Sequence, residues 1–267
     1  RVSVGTRSTE RRPGESLDAK SLRHAVLGKQ RPNWISREDY EQTASLGLIA
    51  DQHSIFEPNL SRELADRYAR SPWVERVRAV QLRHPAQVEV EIDWRRPVAR
   101  VEKLMVLDRY GYVLNLMFDN AAVQGIPLIS GVQAARAEAG AKVRERELID
   151  ALDLLAAVSE ALNASPGKLK VASVQREPSG MWRVVTDRGP SIYWGAYTDD
   201  PPMDEPRTQE KKELLRRRLC EVGDPALLEY VKVYHASAPV KPRAASTSET
   251  RPPPPSVSNA TASRPRR

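Results

Sequence analysis

A single cysteine, Cys220, among 267 residues excludes any intrachain disulfide, although that fact fixes no compartment. No run of about 18 apolar residues occurs, so no segment reads as bilayer-spanning. No signal peptide is visible. The chain begins at Arg1 rather than Met, which reads as a fragment with a further segment upstream. Aromatic residues make up only 6% and phenylalanine occurs twice, whereas there are 21 prolines. With 40% hydrophobic residues, this composition fits compact modules with polar, proline-rich extensions.

Catalytic patterns are missing as well. The four histidines, His24, His53, His84 and His235, have no metal-ligand spacing to one another or to Cys220. There is no phosphate-cradling glycine loop ending in Lys-Ser or Lys-Thr, and no Gly-x-Ser-x-Gly elbow. The acidic pairs Asp199-Asp200 and Asp204-Glu205 flank Pro201-Pro202-Met203 and read as a solvated loop, without the preorganisation that catalysis needs. No catalytic, metal or cofactor-binding residue is assigned, and no cofactor is expected. Cys220 reads as a small packing residue.

The net charge of +7 sits at the two ends. Residues 1–30 hold seven basic and three acidic side chains, and residues 238–267 hold six and one, which leaves −2 for residues 31–237. A nucleic-acid-binding domain concentrates positive charge on its folded surface. The distribution here argues against nucleic acid as a partner and favours solvated tails.

Periodicity locates the folded part. Residues 1–30 are polar, basic and aperiodic, and read as linker. Ser36 followed by Asp39 has N-cap spacing and predicts a helix from Arg37 to about Leu46, with Gly47 as its stop. A second helix follows Asn59, with Leu60, Leu64 and Tyr68 on one face. Ser71-Pro72 ends it, and Trp73 and Val74 pack back onto it. Val77 to Leu82 reads as a strand and Arg83-His84-Pro85 as a turn. Val88, Val90 and Ile92 then alternate with Glu89, Glu91 and Asp93 as a half-buried strand.

Beyond about residue 102 a second region begins. Lys103 to Leu107 and Tyr112 to Leu116 form a hairpin across Asp108 to Gly111, and Ile126 to Gly131 is a short apolar segment. Glu147 to Leu162 is the strongest helix, striped by Leu148, Leu152, Leu155 and Leu162, with Gly167 beyond its end. Strands follow at Val171 to Gln175, Met181 to Asp187 and Ser191 to Trp194. Thr208 to Leu219 is an amphipathic helix. Its run of Lys211, Lys212, Arg216, Arg217 and Arg218 reads as a solvated face rather than a nucleic-acid or membrane patch.

Leu228 to Tyr234 is the final strand. Val231 and Val233 face the core, while Tyr230, Lys232 and Tyr234 face outward. Such a strand at a sheet edge captures a partner strand through its unpaired backbone groups. Lys232 fits that role and fits equally a guard against aggregation. From Ala238 the chain reads as a disordered tail with polyproline character at Pro252 to Pro255.

At Ser71-Pro72-Trp73-Val74 the chain resembles the FtsQ/DivIB family of bacterial cell-division proteins, which carries a short Pro-Trp-Val after the second helix of its POTRA domain. The resemblance continues through the turn Arg83-His84-Pro85 and the segment Trp94-Arg95-Arg96-Pro97-Val98-Ala99. It continues through Asp108-x-x-Gly111-x-x-Leu114, Pro127-Leu128-Ile129-Ser130-Gly131 and Ile192-Tyr193-Trp194-Gly195. Its span is about Trp34 to Ser237. Trp94 in place of the usual acid, Asn115 in place of a frequent proline, and Lys232-Val233-Tyr234 in place of Asp-Leu-Arg mark a divergent member.

The resemblance implies an α+β protein. A POTRA-type domain covers 31–102, with Pro72, Trp73, Val74, Arg83, Pro85, Arg95 and Pro97 as its structural signature. A β-domain with packed helices covers 103–237, flanked by the linker 1–30 and the tail 238–267. It implies a non-enzymatic, single-pass inner-membrane protein whose membrane helix precedes this chain and whose domains lie on the periplasmic side. Its implied partners are division proteins of the FtsB and FtsL type, with other members of the division complex reached through the POTRA domain. The docking residues would be Tyr230, Val231, Lys232, Val233 and Tyr234. One rival is a POTRA-containing envelope chaperone or secretion factor that binds extended polypeptide. Another is a binder of anionic polymers through the basic ends.

Overall fold

The computed structural model describes residues 24–27, 31–47, 58–83, 87–102, 105–116, 121–164, 167–198, 201–235, 237 and 240–242. They form an α+β fold with two sheets and two hydrophobic cores.

The first unit contains β1 (His24–Leu27), α1 (Arg37–Ser45), α2 (Leu60–Ala69), β2 (Val74–Arg83) and β3 (Gln87–Trp94). The Ser36 hydroxyl accepts from the Asp39 backbone N–H at 3.0 Å and fixes the start of α1. Leu60, Leu64 and Tyr68 bury the inner stripe of α2, and the Tyr68 hydroxyl donates to the Ala44 carbonyl at 3.2 Å, tying the helices together. Burial pushes that phenol well above its ordinary pKa. Asn59 precedes α2, but its side chain makes no cap hydrogen bond. Trp73, Val74, Val88, Val90 and Ile92 close the core beneath the helices. The strand order is β1-β3-β2, with β3 antiparallel to β2.

The second unit contains β4 (Ala99–Val101), β5 (Met105–Leu107), β6 (Val113–Leu114), α3 (Ala121–Gln124), β7 (Leu128–Ser130) and α4 (Arg146–Asn163). It continues with β8 (Val171–Arg176), β9 (Trp182–Thr186), β10 (Ser191–Gly195), α5 (Thr208–Val222), a 3-10 turn at Pro225–Leu227, β11 (Leu228–Lys232) and β12 (Val240–Pro242). One nine-stranded sheet runs β12-β11-β10-β9-β8-β7-β4-β5-β6. The long helices are its crossovers: α4 joins the parallel pair β7/β8, and α5 joins the parallel pair β10/β11. Leu148, Leu152, Leu155 and Leu162 of α4 and Leu214, Leu215 and Leu219 of α5 cover one face. Gly131, after β7, has φ +73°, and any Cβ there would collide with the Arg176 carbonyl.

A buried ion pair joins the units. Arg95, just after β3, donates from Nη1 to Asp108 Oδ2 at 2.7 Å, with side-chain exposures of 10% and 1%. Asp108 Oδ1 accepts from the Tyr110 and Tyr112 backbone N–H groups at 2.9 and 2.8 Å. The guanidinium lies 3.7 Å from the centroid of the Tyr112 ring. Arg95 N donates to Trp73 O at 2.9 Å, and Trp34 Nε1 donates to Arg95 O at 3.0 Å, so the arginine is fixed from both ends. Leu114 of β6 completes the junction by burying in the first unit's core.

Several expectations are corrected. Residues 24–27, inside the stretch read as linker, form β1 and pair in parallel with β3 from His24↔Gln87 to Leu27↔Val90. Four residues without alternation give no strand signal, and the neighbour supplies the pairing. The second strand of the hairpin is only Val113–Leu114 rather than Tyr112 to Leu116, because Leu114 and Leu116 turn toward the other core. Helix α3 has no counterpart in the sequence reading. In the tail, Val240–Pro242 form β12. Pro85, His84, His53, Lys103, the Asp199-Asp200 pair, residues 1–23 and Pro252 to Pro255 lie outside the described residues, as does the side chain of Arg83.

Replacing Asp108 by Ala leaves Arg95 charged and buried, and is expected to cost about 3–5 kcal/mol in urea unfolding. The double change Arg95→Leu with Asp108→Leu is expected to cost less than the sum of the single changes. Additive losses would show that the pair is not coupled.

Candidate functional site

The end of the large sheet is built by β10, α5, β11 and β12. Strand β10 needs Gly195 at its exit. Its φ is +86°, and a Cβ there would strike both the Glu205 carboxylate and the Tyr234 side chain. That close approach lets Glu205 accept from the Ala196 N–H at 2.8 Å and pair with Lys211. Lys211 Nζ also donates to the Ala196 carbonyl at 2.8 Å and lies 5.6 Å from the Trp194 ring. The lysine is 1% exposed. Burial lowers its pKa from the ordinary 10.5, and the Glu205 carboxylate opposes that shift.

The basic residues of α5 are therefore not one solvated face. Arg218 is buried and donates to the carbonyls of Lys232 and His235, pinning the end of β11 to the helix. Lys212 and Arg216 reach back to Glu160 of α4 at 2.6 and 3.1 Å. They hold that carboxylate below its ordinary range. Among these five cations, Arg217 is mainly exposed, 3.8 Å from Glu221. Glu205, expected in a solvated loop, is an internal acceptor. Cys220, expected to pack, is exposed.

Strand β11 places its side chains by alternation. Val231 and Val233 are fully buried in the large core, so their role is to seat the strand, not to touch a partner. Tyr230, Lys232 and Tyr234 are half-buried on the face away from the helices. Tyr193 and Tyr230 meet edge to face at 5.8 Å. Lys232 Nζ lies 5.4 and 6.0 Å from the rings of Tyr230 and Tyr234, and the Arg183 guanidinium lies 5.5 Å from Tyr193. The result is an aromatic and cationic surface across β9, β10 and β11.

Strand β11 is not the edge. Strand β12 pairs antiparallel with it, Val231 opposite Val240 and Tyr230 opposite Lys241. Lys241 pairs with Glu229 at 2.8 Å and lies 5.8 Å from the Tyr230 ring. The sheet end is thus β12, and its outer side has no strand partner among the described residues. Val240-Lys241-Pro242 has neither the length nor the alternation that marks a strand in sequence.

The other singled-out residues lie elsewhere. Pro72, Trp73 and Val74 form the turn from α2 into β2, Arg95 makes the junction pair, and Pro97 lies in the link to β4. Among the described residues, no three His, Cys, Asp or Glu side chains gather as a metal site. No described helix is long and apolar enough to cross a membrane.

The fold and this sheet end define an α+β module that finishes in an exposed strand, with cations spent on internal clips rather than on an open reactive centre. Residues 98–217, from just before β4 to within α5, match the family described as cell division protein FtsQ/DivIB, C-terminal. This stretch is similar to the FtsQ/DivIB family, whose proteins are membrane-anchored, non-enzymatic scaffolds working in a complex of division proteins. No curated protein matches the chain. The matched stretch ends before β11 and β12.

Lys211→Met, which leaves the Glu205 carboxylate without its cation, is expected to cost about 2–3 kcal/mol in urea unfolding near neutral pH. Because folding depresses the lysine pKa, the unfolded chain binds more protons between the depressed value and 10.5. Lys211 therefore makes stability rise with pH across that window, and Lys211→Met removes the rise. An identical alkaline profile in both proteins would contradict this account.

Proposed function

We propose that this chain is a scaffold of the bacterial division complex that captures a partner by strand addition at the C-terminal end of its large sheet. The partners are extracytoplasmic segments of FtsB- and FtsL-type division proteins. The chain lies on the periplasmic side of the inner membrane, held by a single membrane helix outside this sequence. One observation carries the reading: the nine-stranded sheet ends in β12, whose outer side is unpaired among the described residues, beside the Tyr193–Tyr230–Lys232 surface.

The two parts do different work. The outward-facing backbone groups of β12, from alternate residues, offer hydrogen bonds to an incoming strand. Tyr230, Lys232 and Tyr234 offer side chains, with rings and an ammonium that suit aromatic and acidic residues of the partner. Val231 and Val233 contribute by holding β11 in register from the core side. The outermost docking strand is therefore β12 rather than β11.

The test is the affinity of the purified chain for the extracytoplasmic region of an FtsB-type partner. Val240→Pro and Lys241→Pro are made separately as a proline pair, because successive backbone N–H groups of a strand point to opposite sides and only one of the two removes a donor from the outer side of β12. That variant is expected to weaken binding by about tenfold or more. Lys232→Glu is expected to weaken an interaction with an acidic partner strand. Unchanged affinity after the proline pair would move docking off β12, and tighter binding would mean that a partner displaces β12 to reach β11. Capture of unfolded polypeptide without selection for division partners would favour the envelope-chaperone reading.

A further inference from the structure

The junction between the two units carries a second recognition site that strand addition does not use. A groove of about 560 Å³ opens there, within the range of ligand clefts of about 300–1,000 Å³. Its walls come from the segment before α1, from β2, from the end of β3 with the link to β4, and from the β5–β6 turn. None of its lining residues belongs to β10, β11 or β12.

The groove has a surplus of fixed positive charge. Arg76, Arg78, Arg96 and Arg109 line it, with only Asp93 and Glu75 as acids. Asp93 is shared by two guanidiniums, at 3.1 Å from Arg76 and 2.7 Å from Arg78. Glu75 pairs with Arg109. Arg96 makes no ion pair among the described residues and lies over Trp34 at 5.4 Å, leaving guanidinium N–H donors open to solvent.

Two indole rings complete the walls of the groove. Trp94 lines the groove, is 8% exposed, and its indole Nε1 is buried without a hydrogen-bond acceptor. Trp34, the other indole in the groove, is satisfied by the Arg95 carbonyl. The Trp94 ring packs against Tyr40 in the first unit's core and its Nε1 has no access to the groove, so Trp94 contributes wall rather than a donor.

We propose that this groove docks an extended, acidic segment of a partner protein. Carboxylates match the surplus guanidiniums in bidentate geometry. Pro32, Trp34 and Val98 add an apolar wall that a small inorganic anion would leave wet, whereas a peptide's side chains cover it. Strand β2 lies at one end of the three-stranded sheet and runs along the groove, so an extended backbone has a parallel track. The site is distinct from the sheet end, and the two are tested separately.

The experiment is fluorescence anisotropy of the full chain with a labelled peptide of alternating Glu and Leu, beside a matched peptide of alternating Lys and Leu. The acidic peptide should bind, the basic one should not, and added salt should weaken binding. Arg96→Glu and Arg76→Glu replace exposed side chains, and each should weaken the acidic peptide by about tenfold or more with unchanged thermal unfolding. In a Lys232→Glu background, which removes attraction at the sheet end, Arg96→Glu should still cause its full loss. Equal binding of both peptides, no binding of the acidic one, or a loss confined to Lys232→Glu would overturn the proposal. Full displacement by inorganic phosphate would overturn it by making the groove a small-anion site.

Discussion

The buried pair between Arg95 and Asp108 is the constraint on which the arrangement of the two units rests. A carboxylate that is 1% exposed and an arginine that is 10% exposed are tolerated because they pair with each other, with the guanidinium lying on the Tyr112 ring. Asp108 spends one oxygen on two backbone N–H groups of its own turn and the other on the guanidinium. The pair thereby sets the turn between β5 and β6 and fixes that turn against the end of β3. The burial of Leu114 in the first core follows from the same placement. A second interunit contact, Arg109 with Glu75, is exposed on the arginine side and contributes little.

The far end of the molecule follows a related logic. Helix α5 must close over the last strands, and it does so with cations aimed inward. Lys211 binds the loop after β10 through Glu205 and Ala196, and Arg218 binds the end of β11 through backbone carbonyls. Lys212 and Arg216 fasten α5 to α4 through Glu160. A charge run that looks like an electrostatic surface is mostly internal fastening. What remains outside is the ring and ammonium surface of Tyr193, Tyr230, Lys232 and Tyr234, next to an unpaired strand.

Much of this was legible in the sequence where local pattern and tertiary burial agree. The alternation of Val88, Val90 and Ile92, the leucine stripe of α4 and the Ser36 cap each specify their element without help from elsewhere. The inward placing of Val231 and Val233 was readable for the same reason. The failures have a common cause. Strands β1 and β12 exist because β3 and β11 offer them partners, and nothing within three or four residues encodes that. Lys211 and Glu205 are buried because Gly195 allows a close approach across sequence. The groove at the junction takes its walls from both units together, so no local reading exposes it.

The central claim is that this scaffold presents the end of its large sheet to a division partner. Amide hydrogen exchange of the chain, alone and saturated with the extracytoplasmic region of an FtsB-type protein, addresses it most directly. The account requires new protection at the outward-facing amide of β12, with smaller gains along β11. It requires the amides around Arg95 and Asp108 to exchange as before. Protection confined to β1 or β2, with β12 exchanging unchanged, would contradict it.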